Sequence, residues 1–190
     1  MIGLMSQTFS NLTLILGGAR SGKSTYAQKM AEQQAERVLY VATAEAGDDE
    51  MAERIAVHRD SRPHHWVTLE APQQVGAAVL ERTNDFQPEV ILLDCLTLLT
   101  SNLILTLPEA DLFTGAQSVV NQELEGLMAA YQTLQIPWII VSNEVGLDLV
   151  PPYPLGRVYR DVLGWANQYL ALRANRVVFM IAGIAMQIKG

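Results

Sequence analysis

Residues 17–24, Gly17-Gly18-Ala19-Arg20-Ser21-Gly22-Lys23-Ser24, constrain this chain more than any other stretch. They fit the pattern G-x-x-x-x-G-K-[ST], in which the backbone N–H groups of a glycine-rich loop cradle phosphate oxygens. The motif needs a strand before it and a helix after it. Leu12-Thr13-Leu14-Ile15-Leu16 reads as a short buried strand, and Thr25 to Arg37 reads as a helix. Glycines let the backbone approach an anion closely. The helix that opens at Lys23-Ser24 adds the positive end of its dipole to the same place. Lys23 is expected to reach the terminal phosphates of a nucleotide, and the Ser24 hydroxyl to ligate Mg²⁺. The alternative is a glycine turn that binds nothing; the flanking strand and helix favour the phosphate site.

A chain of 190 residues, 49% of them apolar, has the material for one sizeable α/β core. The expected organisation is a flexible extension over 1–11 and a single nucleotide-binding α/β domain over 12–190. One cysteine, Cys95, excludes an intrachain disulfide and fits a reducing cytoplasm, the expected location. A net charge of −7 argues against a nucleic-acid partner, which calls for a basic face. An anionic nucleotide must then be held locally. The apolar runs are too short or too broken to span a membrane.

Further along, apolar runs at 38–43, 66–69, 90–93, 137–142 and 176–181 read as strands, and 183–190 as a short terminal one. Helices are predicted over 50–59, with Gly47-Asp48-Asp49 as its cap, and over 72–82, 95–107, 115–135 and 155–175. Asn143 to Gly156, with Pro151, Pro152 and Pro154, reads as a long functional loop. Strands alternating with helices imply a doubly wound, mostly parallel sheet with helices on both faces. Ligands of such sheets bind at the carboxyl ends of the strands. The loop 17–24, Thr43, Glu70, Asp94 and Asn143-Glu144 are expected on that one rim.

Asp94 ends an apolar strand after the phosphate loop, where an acid associated with Mg²⁺ is expected. The competing reading is a turn-capping aspartate, but a carboxylate beside a buried strand needs a partner. His58 lies in Arg54-Ile55-Ala56-Val57-His58-Arg59-Asp60-Ser61-Arg62. A lone histidine is ordinarily a surface or core residue. Three arginines around this one, in a chain with 13 basic residues, suggest a second phosphate-facing surface. An imidazole is largely neutral and nucleophilic at pH 7, and neighbouring arginines favour that form and would hold an α-phosphate. His64 and His65 lack zinc-ligand spacing with Cys95.

Taken together these pieces resemble the bifunctional adenosylcobinamide kinase / adenosylcobinamide-phosphate guanylyltransferase family of cobalamin biosynthesis. The resemblance runs from Leu14 to Lys189: the loop at 17–24, Tyr-Val-Ala-Thr-Ala at 40–44, Asp-Asp-Glu-Met-Ala-Glu-Arg-Ile at 48–55, His58-Arg59, Arg62-Pro63 and Glu70. It continues through Leu-Leu-Asp-Cys-Leu-Thr-Leu at 92–98, Asn102-Leu103, Ser-Asn-Glu-Val-Gly at 142–146, Val150-Pro151, Leu155-Gly156-Arg157, Tyr159-Arg160-Asp161 and Asn167-Gln168. The resemblance implies a P-loop NTPase, RecA-like fold and two reactions. One phosphorylates adenosylcobinamide with ATP or GTP. The other transfers GMP from GTP, through a guanylylated histidine, onto the resulting phosphate. It implies His58 as that histidine, with Lys23 catalytic beside it. The implied nucleotide-binding positions are Gly17, Gly18, Ala19, Arg20, Ser21, Gly22, Lys23, Ser24, Ala42, Thr43, Ala44, Arg59, Asp60, Ser61, Arg62, Glu70 and Asp94, with Ser24 and Asp94 toward Mg²⁺. A homotrimer is implied as well. Two other readings stay open on the residues alone: a small P-loop kinase for another metabolite, and a RecA-like nucleotide-binding module that drives a partner. Neither gives the arginine-flanked His58 a role.

Overall fold

The computed structural model describes residues 11–45, 52, 53, 56, 59, 62–147 and 149–190. Seven strands form one sheet: β1 (Leu12–Gly17), β2 (Val38–Ala42), β3 (Val67–Glu70), β4 (Val90–Asp94), β5 (Trp138–Val141), β6 (Arg176–Ile181) and β7 (Ile184–Lys189). Their order is β3-β2-β4-β5-β1-β6-β7, parallel except for the antiparallel β6–β7 hairpin. The helices are α1 (Lys23–Gln34), α2 (Val75–Arg82), α3 (Leu96–Leu105), α4 (Leu112–Leu134) and α5 (Pro154–Arg173). Ala52, Glu53, Ala56 and Arg59 are also helical, in the predicted 50–59 segment whose other residues lie outside those described.

The central strands read as unbroken apolar runs because both faces are covered. Side chains alternate between the faces. Leu12, Leu14 and Leu16 join a core with Leu39, Leu93, Trp138 and the apolar sides of α2 to α5. Ile15, Tyr40, Leu92 and Ile139 join the opposite core with Ala27, Met30 and Ala31 of α1. The result is the expected α/β architecture, a mostly parallel sheet with helices on both faces. The strand carrying the phosphate loop, β1, is separated from the Asp94 strand, β4, by β5.

Several boundaries differ from the periodicity reading for local reasons. The second helix starts at Val75, not Pro72. Gln74 sits in the left-handed region (φ 52°), and its own side chain makes no cap. The cap comes from α4, where the buried Glu123 carboxylate accepts the N–H of Gln74 (2.9 Å) and of Val75 (2.7 Å). That places a negative charge on a helix N-terminus whose donors have no partner within the helix. A 3₁₀ turn, Glu109–Asp111, leads into α4 three residues before Gly115. The long loop closes at Tyr153, because Pro154 occupies the first turn of α5, where a missing N–H costs nothing. Arg157 then fastens the loop, its Nη1 donating to Pro151 O (3.1 Å) and Pro152 O (3.0 Å).

Candidate functional site

Because β1 to β5 are parallel, their carboxyl ends share one rim. Ala42 pairs with Glu70 on one side and Asp94 on the other, and Asp94 pairs with Val141. The sequence-predicted rim of loop 17–24, Thr43, Glu70, Asp94 and Asn143-Glu144 is therefore assembled.

The loop leaves β1 at Gly17 with φ 151°, where an added Cβ would lie 2.5 Å from Met180 O and 2.8 Å from Ser21 Oγ. Gly22 caps α1 at φ 91°. Both positions require glycine. Gly18, Ala19 and Arg20 form an exposed crest, while Ser21 and Lys23 turn inward. The backbone is braced from two sides: Glu144 N–H donates to Gly17 O (3.0 Å), and Gly183 N–H to Ser21 O (3.0 Å). Ser21 Oγ is buried with no hydrogen-bond partner among the described residues.

Lys23 is only 7% exposed, and its Nζ donates to Gly18 O at 2.6 Å. Burial lowers the pKa of this ammonium, while electrostatic coupling to Cys95 and Asp94 opposes that shift. The cation is thus folded back across its own loop, beside the acid that ends β4. Asp94 Oδ2 accepts the Tyr40 hydroxyl at 2.8 Å. Burial raises the Tyr40 pKa strongly, with Asp94 adding to the shift. Tyr40 stays a phenol and a donor. The Arg62 guanidinium lies 3.6 Å from the Tyr40 ring centroid, and its Nη1 donates to Thr68 Oγ1 (3.3 Å). Arg62 and Asp94 are thereby joined through one aromatic ring, a link no local sequence pattern signals.

Thr43 is fully buried, and its side chain closes the turn after Asp94: Oγ1 donates to Cys95 O (2.6 Å) and accepts Cys95 N–H (2.9 Å). Asn102, on α3, donates from Nδ2 to Thr43 O (2.8 Å) and Pro72 O (3.1 Å), holding two strand ends at fixed spacing. Ala44 is half-buried next to it. Glu70 is exposed at the end of β3, and Arg59 is exposed on its helix. His58, Asp60 and Ser61 lie outside the described residues. Ser24 is half-buried in the first turn of α1.

The donor set suits Mg²⁺, a hard cation that takes one or two protein oxygens and fills its shell with phosphate oxygens and water. Ser24 supplies a hydroxyl, and Asp94 a carboxylate with one oxygen already oriented by Tyr40. No group of three or more His, Cys, Asp or Glu side chains that could hold a metal occurs among the described residues.

Fold and loop define a P-loop α/β protein built to grip phosphate. The cobinamide kinase / cobinamide phosphate guanyltransferase family model matches residues 13–188. The bifunctional adenosylcobalamin biosynthesis protein CobP of Pseudomonas aeruginosa is 44% identical over 177 residues, covering 93% of this chain and 96% of that protein. The bifunctional adenosylcobalamin biosynthesis proteins CobU of Escherichia coli and Salmonella typhimurium are each 39% identical over 184 residues, covering 94% of this chain and 99% of theirs. Among solved structures, a KaiC-like protein of Pyrococcus horikoshii aligns with a TM-score of 0.49 at 14% identity, over 90% of this chain and 72% of that one. The chain belongs to the cobinamide kinase / cobinamide phosphate guanyltransferase family.

Proposed function

We propose that this chain phosphorylates adenosylcobinamide with ATP or GTP, and then transfers GMP from GTP to adenosylcobinamide phosphate by way of His58. The observation that carries the reading is the buried Lys23 ammonium, held 2.6 Å from Gly18 O in a loop that ends β1 beside Asp94. A triphosphate entering the loop replaces that carbonyl as the partner of Lys23. Gly17 to Ser24 then hold its phosphates through backbone N–H groups and the start of α1. Thr43, with Ala42 and Ala44, forms the adjoining wall, and Glu70 and the arginines at 59 and 62 border it. Ser24 and Asp94 would hold Mg²⁺, which neutralises phosphate charge when bound.

With the β- and γ-phosphates gripped, the α-phosphorus is left open to a nucleophile from the segment after β2. His58 is the only histidine of its arginine-rich stretch. Its attack forms a nitrogen–phosphorus bond and breaks the α–β bridge, releasing pyrophosphate. The phosphate of adenosylcobinamide phosphate then takes the GMP, forming adenosylcobinamide-GDP and freeing the histidine. One hard transfer becomes two easier ones. The family resemblance supports a homotrimer as the working form.

Incubation with [α-³²P]GTP and Mg²⁺ tests the reading. The expected result is protein-bound label that is acid-labile and base-stable, with none from [γ-³²P]GTP. His58→Asn is expected to lose label and guanylyl transfer while keeping most kinase turnover. Normal labelling of His58→Asn would place the nucleophile elsewhere.

A further inference from the structure

Three motifs of the sequence lie outside the nucleotide-binding positions named above: Asn143-Glu144 with Gly146, Arg160-Asp161, and Asn167-Gln168. The fold brings them together. Glu144, Gly146, Arg160, Asp161, Asn167 and Gln168 line a cleft of about 480 Å³ between the end of β1, the segment after β5 and one face of α5. Arg160, Asp161, Gly164, Trp165, Asn167, Gln168 and Ala171 fall on that face at helical spacing. The opposite face of α5 (Val158, Val162, Leu163, Ala166, Leu170) is core. The cleft shares a wall with the phosphate loop, because Glu144 lines it and donates its N–H to Gly17 O.

One atom there is out of balance. Asn167 is 4% exposed, and its Nδ2 donates to Asn143 O at 2.9 Å. That partner is a carbonyl and can only accept, so the amide cannot be turned round. Its Oδ1 is left buried without a hydrogen-bond partner among the described residues. A buried acceptor left alone is destabilising, and the group that relieves it must be an N–H or O–H donor. The same cleft holds the Glu144 carboxylate, which opposes an anion, and the Asp161 carboxylate, ion-paired with Arg160 (Oδ1 to Nε, 3.6 Å). Arg160 and the Gln168 amide offer donors, and the Trp165 ring offers a flat apolar surface. A ligand rich in neutral carboxamides, each both donor and acceptor, satisfies this mixture. A second phosphate does not.

We propose that this cleft is the acceptor subsite, taking the amide-bearing arm and one edge of the corrinoid, with an amide N–H of the ligand donating to Asn167 Oδ1. The inference rests on the cobinamide reading above. A volume of about 480 Å³ suits a drug-sized fragment, not a whole macrocycle, so the rest of the ring lies outside. The shared Glu144 wall directs the bound arm toward the phosphate loop.

Equilibrium dialysis with adenosylcobinamide, read by the visible absorbance of the corrinoid, decides the subsite without turnover. The variants are Gln168→Ala, at an exposed position, and Asn167→Leu. Each is expected to bind adenosylcobinamide about tenfold more weakly. For Gln168→Ala, affinity for a fluorescent GTP analogue should be unchanged and the protein should melt as the parent does; Asn167→Leu, which also releases the Asn143 carbonyl, is read on corrinoid affinity alone. Equal corrinoid affinity in parent and Gln168→Ala, or no corrinoid binding by the parent, overturns the subsite. A parent protein that binds adenosylcobinamide in this way yet never phosphorylates it overturns the functional reading and leaves the subsite standing.

Discussion

Asn102 offers the sharpest test of how the rim is held. Its Nδ2 is shared between Thr43 O (2.8 Å) and Pro72 O (3.1 Å), so one side chain on α3 fixes the ends of two adjacent strands. Asn102→Ala removes both bonds, each worth about 1 kcal/mol net. Thr43 is fully buried, and its carbonyl is left unsatisfied at a cost of about 1–3 kcal/mol. Pro72 is half-buried, so water can reach its carbonyl. The loss therefore sums to roughly 2–4 kcal/mol. For a domain of this size each kcal/mol shifts Tm by about 2–4 °C. The expected fall is thus roughly 5–15 °C. Asn102→Asp should cost at least as much, since it places an oxygen against two carbonyl oxygens. Urea unfolding gives the free energy, with an unchanged slope showing that the native state is otherwise intact. Because Thr43 belongs to the proposed nucleotide wall, KM for GTP should also rise severalfold. If both variants unfold within about 0.5 kcal/mol of the parent, the two bonds do not hold the rim and the reasoning is wrong.

Lys23→Ala should lower kcat for both reactions by about 10²–10³, checked by separate kinase and guanylyl-transfer assays, while the fold survives, because the variant removes a charge from a buried position. Glu123→Ala strips the cap from Gln74 and Val75 and should cost about 2–4 kcal/mol in urea unfolding, with exchange of those two amides accelerating. Burial, then the charge of Asp94, pushes the Cys95 thiol from 9.0 up to about 11. The folded state therefore holds its proton longer than the unfolded state. The corresponding stability is complete below pH 9 and is lost as pH rises toward 11. Parent minus Cys95→Ala in a pH series of melts should show that slope, and thiol labelling at pH 8 should run about a hundredfold slower than for a free cysteine.

The strands and the phosphate loop were legible because their signals are local. Leu12–Gly17 and Val90–Asp94 are buried on both faces, so they read as continuous apolar runs, and each ends on a residue that cannot continue one. The loop declares itself through glycines whose φ values no other residue tolerates. Helix starts were less legible wherever the cap comes from afar. Nothing near Gln74 announces that Glu123, 49 residues on, satisfies its N–H. The same distance hides the partner of Asp94. The sequence says only that a carboxylate at the end of a buried strand needs one. Tyr40 lies 54 residues earlier and reads as an ordinary core aromatic.

The residues of the rim sort by this rule, and the sorting bears on function. Gly17, Gly22 and Lys23 act through their own backbone and are readable one at a time. Asn102, Thr97 and Asn167 act by donating to or accepting from another segment's backbone: Asn102 to Thr43, Thr97 Oγ1 from Asn143 N–H (2.8 Å), Asn167 to Asn143 O. Thr97 and Asn167 converge on Asn143 from α3 and α5, holding both its N–H and its C=O. The next residue, Glu144, is the one that braces Gly17. A loop that only needed to cover a ligand would not need both backbone groups of one residue fixed from two helices. The bracing matters if Glu144 must hold the phosphate loop on one side while lining the α5 cleft on the other. That double duty accounts for the polar asparagine buried at 167, where the apolar core face of α5 meets its cleft face.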